Sequence, residues 1–185
     1  MSKSIRVLLK NVRCQYPKLF VADEFMGKRT FSVGLLLPAG DPAIKVIEDA
    51  ALKAAEAQYP GKGEAMLRRF KQSKTTWPLR SLDDGGFLIT PKRKEEQGAP
   101  MVFNQRKQLI PADAGLPYAG CWLNVSADIF CYTKSGGGIT CYLNGVQLVR
   151  EDAPLGGGAT AASCKDDFED ISGESIDSED TSDLI

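Results

Sequence analysis

No histidine occurs anywhere in the 185 residues. That removes the commonest general base and both the Ser–His and Cys–His nucleophile pairs, so an enzyme would have to work with carboxylates or lysines. The five cysteines (Cys14, Cys121, Cys131, Cys141, Cys164) are an odd count with no Cys-x-x-Cys pair, and without imidazole they offer no mixed zinc site. Those on the two long strands, Cys121, Cys131 and Cys141, are expected to pack in the core as reduced, small apolar residues, with Cys131 and Cys141 opposed across a hairpin. No apolar run approaches the roughly 20 residues of a membrane span. Met1-Ser2-Lys3-Ser4 leads into a strand pattern instead of a signal-peptide core, so a soluble intracellular protein is expected. Gly136-Gly137-Gly138 lacks the Lys-Ser/Thr of a phosphate-binding loop. Asp83-Asp84, Glu95-Glu96 and Asp128 have no spacing diagnostic of magnesium, so neither metal nor cofactor is expected.

Charge is present, and it is unevenly placed. Residues 165–185 hold nine carboxylates and one lysine; taking these from the chain's 24 acidic and 23 basic residues leaves 15 and 22 in residues 1–164. A +7 body therefore carries a −8 tail, the arrangement of a polyanion-binding domain with its own anionic competitor attached. The tail is too poor in apolar residues to offset the entropy of ordering and reads as disordered. A merely solubilising terminus is the alternative. Phe168, Ile171, Ile176, Leu184 and Ile185, spaced through the acid, give a partner something to grip besides charge, and Asp180, Asp183, Leu184 and Ile185 are the candidate docking end.

With 43% hydrophobic and 25% charged residues, the chain suits one nucleic-acid-binding domain over 1–155 and a Gly-rich linker with acidic tail over 156–185. Alternation predicts strands at 5–9 and 31–37. Asp41 as N-cap, Pro42 at the first helical position and Ile44, Ile47, Ala51 and Ala55 at helical spacing predict a helix over 42–58, ended by Pro60-Gly61; a second helix is read at 64–71. Short strands are read at 77–80 and 87–90, and Pro91 to Pro100 as a charged loop. Two longer strands, 121–133 and 139–149, flank a Gly-rich hairpin loop at 134–138.

Parity divides the first long strand cleanly. Odd positions (Cys121, Leu123, Val125, Ala127, Ile129, Cys131) form a core face, whereas even positions carry Trp122, Phe130 and Tyr132 among polar residues. The loop length places Tyr142 opposite Phe130. Such rings can stack single-stranded bases while cations track the phosphates; the alternative for each is burial under the helix or a loop. Cations gather at Lys28 and Arg29, at Arg68, Arg69, Lys71, Lys74 and Arg80 interleaved with Phe70 and Trp77, and at Lys92, Arg93 and Lys94; Arg13, Tyr16 and Lys18 follow the first strand.

Arg13-Cys14-Gln15-Tyr16-Pro17-Lys18-Leu19-Phe20, the 31–38 strand with its Asp41 helix, Pro117-Tyr118-Ala119-Gly120-Cys121-Trp122, Leu143 to Arg150, Pro154-Leu155-Gly156-Gly157 and Phe168-Glu169-Asp170 together resemble a family of tailed-phage single-stranded DNA-binding proteins. The resemblance implies a mainly β fold with an inserted helix, an oligonucleotide-binding (OB) five-stranded antiparallel barrel plus disordered acidic tail. It further implies sequence-independent coating of single-stranded DNA in phage replication, recombination and repair within the cytoplasm of an infected bacterium, and no enzyme activity. Replication or recombination proteins are the expected partners of the tail, with self-association left open and no membrane. Other readings are an RNA-binding or strand-annealing protein, a carboxylate- and magnesium-dependent nuclease, and an adaptor that acts through its tail.

Overall fold

The computed structural model describes residues 4–156, 165, 167–170 and 172. The candidate docking residues Asp180, Asp183, Leu184 and Ile185 lie outside them, as does most of the proposed linker and tail.

The predicted first strand is the start of a 21-residue strand, β1 (Ile5–Phe25), which turns at Met26-Gly27 into β2 (Lys28–Leu37). Both turn residues have positive φ, 51° and 74°, the left-handed pair that a tight hairpin needs. Asp41 caps α1 (Pro42–Gln58), its carboxylate accepting from the Ala43 amide at 2.8 Å, and α2 is Gly63–Phe70. The alanine-rich face of α1 lies against β1 and α2, and against β7 (Trp122–Tyr132). Between helices and β7 run four short strands: β3 (Arg80–Ser81), β4 (Phe87–Ile89), β5 (Lys92–Lys94) and β6 (Met101–Phe103). β8 (Gly138–Arg150) completes the hairpin with β7.

Pairing runs β1–β7–β8–β5–β2 and returns from β2 to β1, so five strands close a ring of OB type, with β4 and β3 added beside β2 and β6 beside β8. The sheet thus has eight strands around a five-stranded ring of mainly antiparallel pairing, as expected, with parallel links at β5–β8 and β6–β8. Inside it, Leu123, Val125, Ala127, Ile129 and Cys131 are buried and the intervening residues half-buried, as parity predicts.

Two local expectations are corrected. The 91–100 segment is not all loop: β5 is inserted between β2 and β8, its outward Lys92 and Lys94 masking the strand in the sequence, while Arg93 donates to the carbonyls of Gln97 and Gly98 at 2.8 Å. The hairpin register is shifted by two: Cys131 opposes Ile139, Cys141 opposes Ile129, and Tyr142 opposes Asp128. Gly138 joins the strand because it has no side chain, leaving the Tyr132 ring to lie over it; a Cβ there would run into the phenol. A shift of two preserves the face of every residue.

Candidate nucleic-acid interface

On the outside of the ring, β2, β5 and β8 set Ser32 beside Lys92 and Lys92 beside Tyr142. Beside them the 74–80 segment and β4 form a groove of ≈ 310 Å³ lined by Lys74, Trp77, Arg80, Leu88, Lys92 and Tyr142. Arg80, Leu88 and Thr90 also line a second groove of ≈ 410 Å³ that contains Tyr16, Lys18 and Ser32, so the two are one path across β8, β5, β2 and the outer half of β1. Tyr16 is 71% exposed and stands at an irregularity of β1 with φ of 45°. Such a bulge re-aims a side chain. Gly34 permits it, since a Cβ there would sit 2.9 Å from the Gln15 carbonyl oxygen.

Of the residues singled out in the sequence, the path therefore unites Tyr16, Lys18, Lys74, Trp77, Arg80, Lys92 and Tyr142. Phe130 backs it, its ring 6.1 Å from that of Tyr142 on the diagonal. Tyr132 closes the side, donating its hydroxyl to the Thr75 carbonyl at 3.3 Å. Among the described residues, Lys18, Lys74, Arg80 and Lys92 form no salt bridge, which leaves their charge to attract phosphate.

Other cations are engaged or placed elsewhere. Arg29 is paired with Glu95 at 2.8 Å, and Lys71 with Glu48 at 2.8 Å while its ammonium sits 5.2 Å from the Trp77 ring centre. Arg93 is tied to carbonyls, and Arg13 donates to the Ala153 carbonyl at 2.9 Å. Lys28 and Lys94 line a separate hollow with Glu95 and Glu96. Arg68 lies on the helical side with Leu52 and Leu67, and Arg69 near Gly136. Linear clustering of cations on 68–80 thus spans two faces of the molecule, because a helix and an extended segment display side chains differently.

Trp122 shares the outward face of β7 with Phe130 but is eight residues away, about 27 Å along a strand. It is not in the groove. Its indole N–H donates to Asp152 Oδ2 at 2.8 Å, and the guanidinium groups of Arg150 and Arg13 lie 4.5 and 5.9 Å from its ring centre. The indole bond, first, and the Ala153 amide, second, hold the Asp152 carboxyl below its usual range. Replacing Trp122 by alanine is expected to cost about 2 kcal/mol of stability through lost ring contacts, read as a lower urea midpoint, and to leave Asp152 with Arg150 and the Ala153 amide as its partners. Asp152's share is full above its ordinary pKa of 3.8 and fades as pH falls through the lowered folded value, so the gap between Trp122→Ala and the parent should narrow in strong acid to the share of the ring contacts.

The carboxylates weighed for magnesium have separate structural duties: Asp128 pairs with Arg6 at 3.0 Å, Asp84 accepts from the Gly86 amide at 2.9 Å, and Glu95 holds Arg29. Among the described residues no three His, Cys, Asp or Glu side chains gather as a metal site. Burial pushes the Cys14 thiol up to about 11 and Cys141 to about 12, so both stay protonated at neutral pH. No helix among the described residues is long and apolar enough to cross a membrane. The groove residues missed in the sequence, Ser32 and Leu88 on strands and Thr90 just after β4, are ordinary residues whose position only the ring topology reveals.

Comparison with known proteins agrees with this architecture. The single-stranded DNA-binding protein from bacteriophage Enc34 superposes with a TM-score of 0.63 at 21% identity, covering 88% of this chain and 93% of that one, and its complex with single-stranded DNA with 0.64 at 21%, covering 84% and 95%. The single-stranded DNA-binding protein gp2.5 of bacteriophage T7 gives 0.56 at 19% identity, covering 90% and 96%. In sequence, the putative protein p50 of Acyrthosiphon pisum secondary endosymbiont phage 1 is 25% identical over 180 residues, 91% of this chain and 95% of its own. The family model described as "Enterobacter phage Enc34, ssDNA-binding protein" matches residues 5–182, and the chain belongs to that family.

Proposed function

We propose that the protein binds single-stranded DNA without sequence preference, the strand running along the Tyr142–Lys92–Arg80–Tyr16 path. The observation that carries this reading is that exposed or half-buried rings alternate there with cations that, among the described residues, form no salt bridge, on the β2–β5 face that corresponds to the one OB folds use for oligonucleotides. Membership of the family and the structural likeness to a protein solved with single-stranded DNA support it. Coating would protect strands during phage replication, recombination and repair in the cytoplasm of the infected bacterium, without chemistry on the DNA. The tail would compete for the groove and recruit replication proteins.

Salt-dependent titration of single-stranded DNA, duplex DNA and RNA of one sequence tests the reading. Preference for the DNA strand supports it, and preference for RNA replaces it with an RNA-binding one. Trp77→Ala and Tyr142→Ala are each expected to weaken single-strand binding by about 1 to 3 kcal/mol, with the melting temperature little changed. Trp122→Phe leaves Trp77 as the reporting indole, whose emission should fall on binding. Normal affinity in both alanine variants would move the stacking elsewhere.

A further inference from the structure

The DNA path uses only the first half of β8. The second half carries on its outward side Asn144, Gly145 and Gln147, which lead from Tyr142 into a hollow of ≈ 280 Å³ lined also by Leu8, Met101, Phe103 and Asn124. Both stretches share one strand edge: Tyr142 is in register with Lys92 of β5, and Gly145, about 10 Å further along, with Met101 of β6. Gly145 admits β6 this closely, since a Cβ there would stand 2.8 Å from the Met101 carbonyl oxygen. None of the hollow's lining residues is charged. Met101 is 56% exposed and Phe103 half-buried, an apolar floor for the face of a nucleobase. Among the described residues Asn124 Nδ2 donates to Gln147 Oε1 alone, at 3.2 Å, which leaves its second amide hydrogen for a base edge.

Just past Phe103 the chain turns through residues 104–108, a loop fastened to itself and to β8. Asn104 Oδ1 accepts from the Arg106 and Gln108 amides at 2.9 and 3.0 Å, Gln105 Nε2 donates to the Val149 carbonyl at 3.3 Å, and Gln147 Nε2 donates to the Asn104 carbonyl at 3.4 Å. Arg106 and Lys107 stand exposed on it, and among the described residues neither forms a salt bridge. In residues 5–13, 101–110, 122–132 and 138–150 together, the sole carboxylate is Asp128, which Arg6 holds at 3.0 Å. This face of the molecule is therefore cationic, with two of its charges on a fixed loop where they complement phosphate.

We propose that single-stranded DNA passing Tyr142 continues along β8 into this hollow, a base lying against Phe103 and Met101 and the adjoining phosphates meeting Arg106 and Lys107. The inference rests on the single-strand reading and lengthens its site, so that the strand wraps from the β2–β5 face onto the face of β6, β8 and β7. A loop already held in place loses little freedom on binding.

The full chain, Arg106→Gln with Lys107→Gln, and Met101→Glu are titrated with oligo(dT) of increasing length at several salt concentrations, with urea midpoints to verify folding. The parent should gain affinity in two stages as length grows, and the variants should lose the second. On the shortest oligonucleotides that bind, each variant should match the parent within about twofold. On long ones, the loop variant should bind about tenfold more weakly at low salt, with a log–log salt slope reduced by about 1.4, ~0.7 for each phosphate. Met101→Glu, which sets a carboxylate in the strand's way, should also lose about tenfold on long oligonucleotides only. If it melts early, the loop variant, whose side chains are exposed, decides alone. Variants equal to a binding parent at every length overturn the extension and leave the first path intact. Losses as large on the shortest oligonucleotides as on the longest overturn it too, because the hollow would then be the first site. A parent that binds no single strand overturns both readings.

Discussion

Glutamine at Lys74, Arg80 and Lys92 together is expected to reduce the slope of log affinity against log salt by about 2, since each phosphate contact on a single strand contributes ~0.7. At low salt the same variant should bind about a hundredfold more weakly, which corresponds to about 0.9 kcal/mol for each of the three contacts. Stability should hold, because none of the three side chains forms a salt bridge among the described residues and all three are exposed. Arg68→Gln with Arg69→Gln is the matched comparison: two charges are removed from α2, outside the groove, and the slope should barely move. Should the α2 pair carry the salt dependence and the groove triple none of it, the strand runs over the helices.

The division between these two sets of cations shows where sequence reading ended. Position on a long strand was legible: parity separated the two faces of β7 correctly, and Asp41, Pro42 and Pro60-Gly61 bounded α1 to the residue. These signals are local, repeated over many residues, and fixed by backbone geometry. Short strands carry no such repetition. β5 has three residues, all cationic, and becomes a strand only because β2 and β8 flank it and carbonyls receive Arg93.

The aromatic set is divided in space for a related reason. Sharing a face is a local property, but sharing a site also requires nearness along the strand, and Trp122 lies at the opposite end of β7 from Phe130. Its neighbours are chosen by register, Arg13 on one side and Arg150 on the other, and by the return of Asp152, none of which periodicity encodes. Trp77 takes its place in the groove from an irregular segment beside β3, where no pattern marks a side chain's direction.

The second large effect is expected on ending the chain at Cys164, which changes the formal charge from −1 to +7. The root of the tail is fixed on the body: the Leu155 amide donates to the Ala119 carbonyl at 2.9 Å, Tyr118 donates to the Asp152 carbonyl at 2.9 Å, and the Gly120 amide donates to Cys14, two residues from Tyr16. Residues 156–164 span at most about 30 Å when extended. In the proposed competition the nine carboxylates that follow reach Lys18 and Arg80 at high effective concentration, so that incoming DNA would have to displace them. Shortened protein should bind single strands at least about tenfold more tightly at low ionic strength, with the gap closing as salt screens both interactions, and should accept duplex that the full chain rejects. Adding the Lys74, Arg80 and Lys92 glutamines to the shortened chain should remove most of the gain, because tail and DNA contend for the same cations. The same shortening should abolish capture of replication proteins if Asp180, Asp183, Leu184 and Ile185 form the docking end. Equal affinities of the two forms at low salt would separate these roles, leaving the tail for recruitment and the groove open at all times.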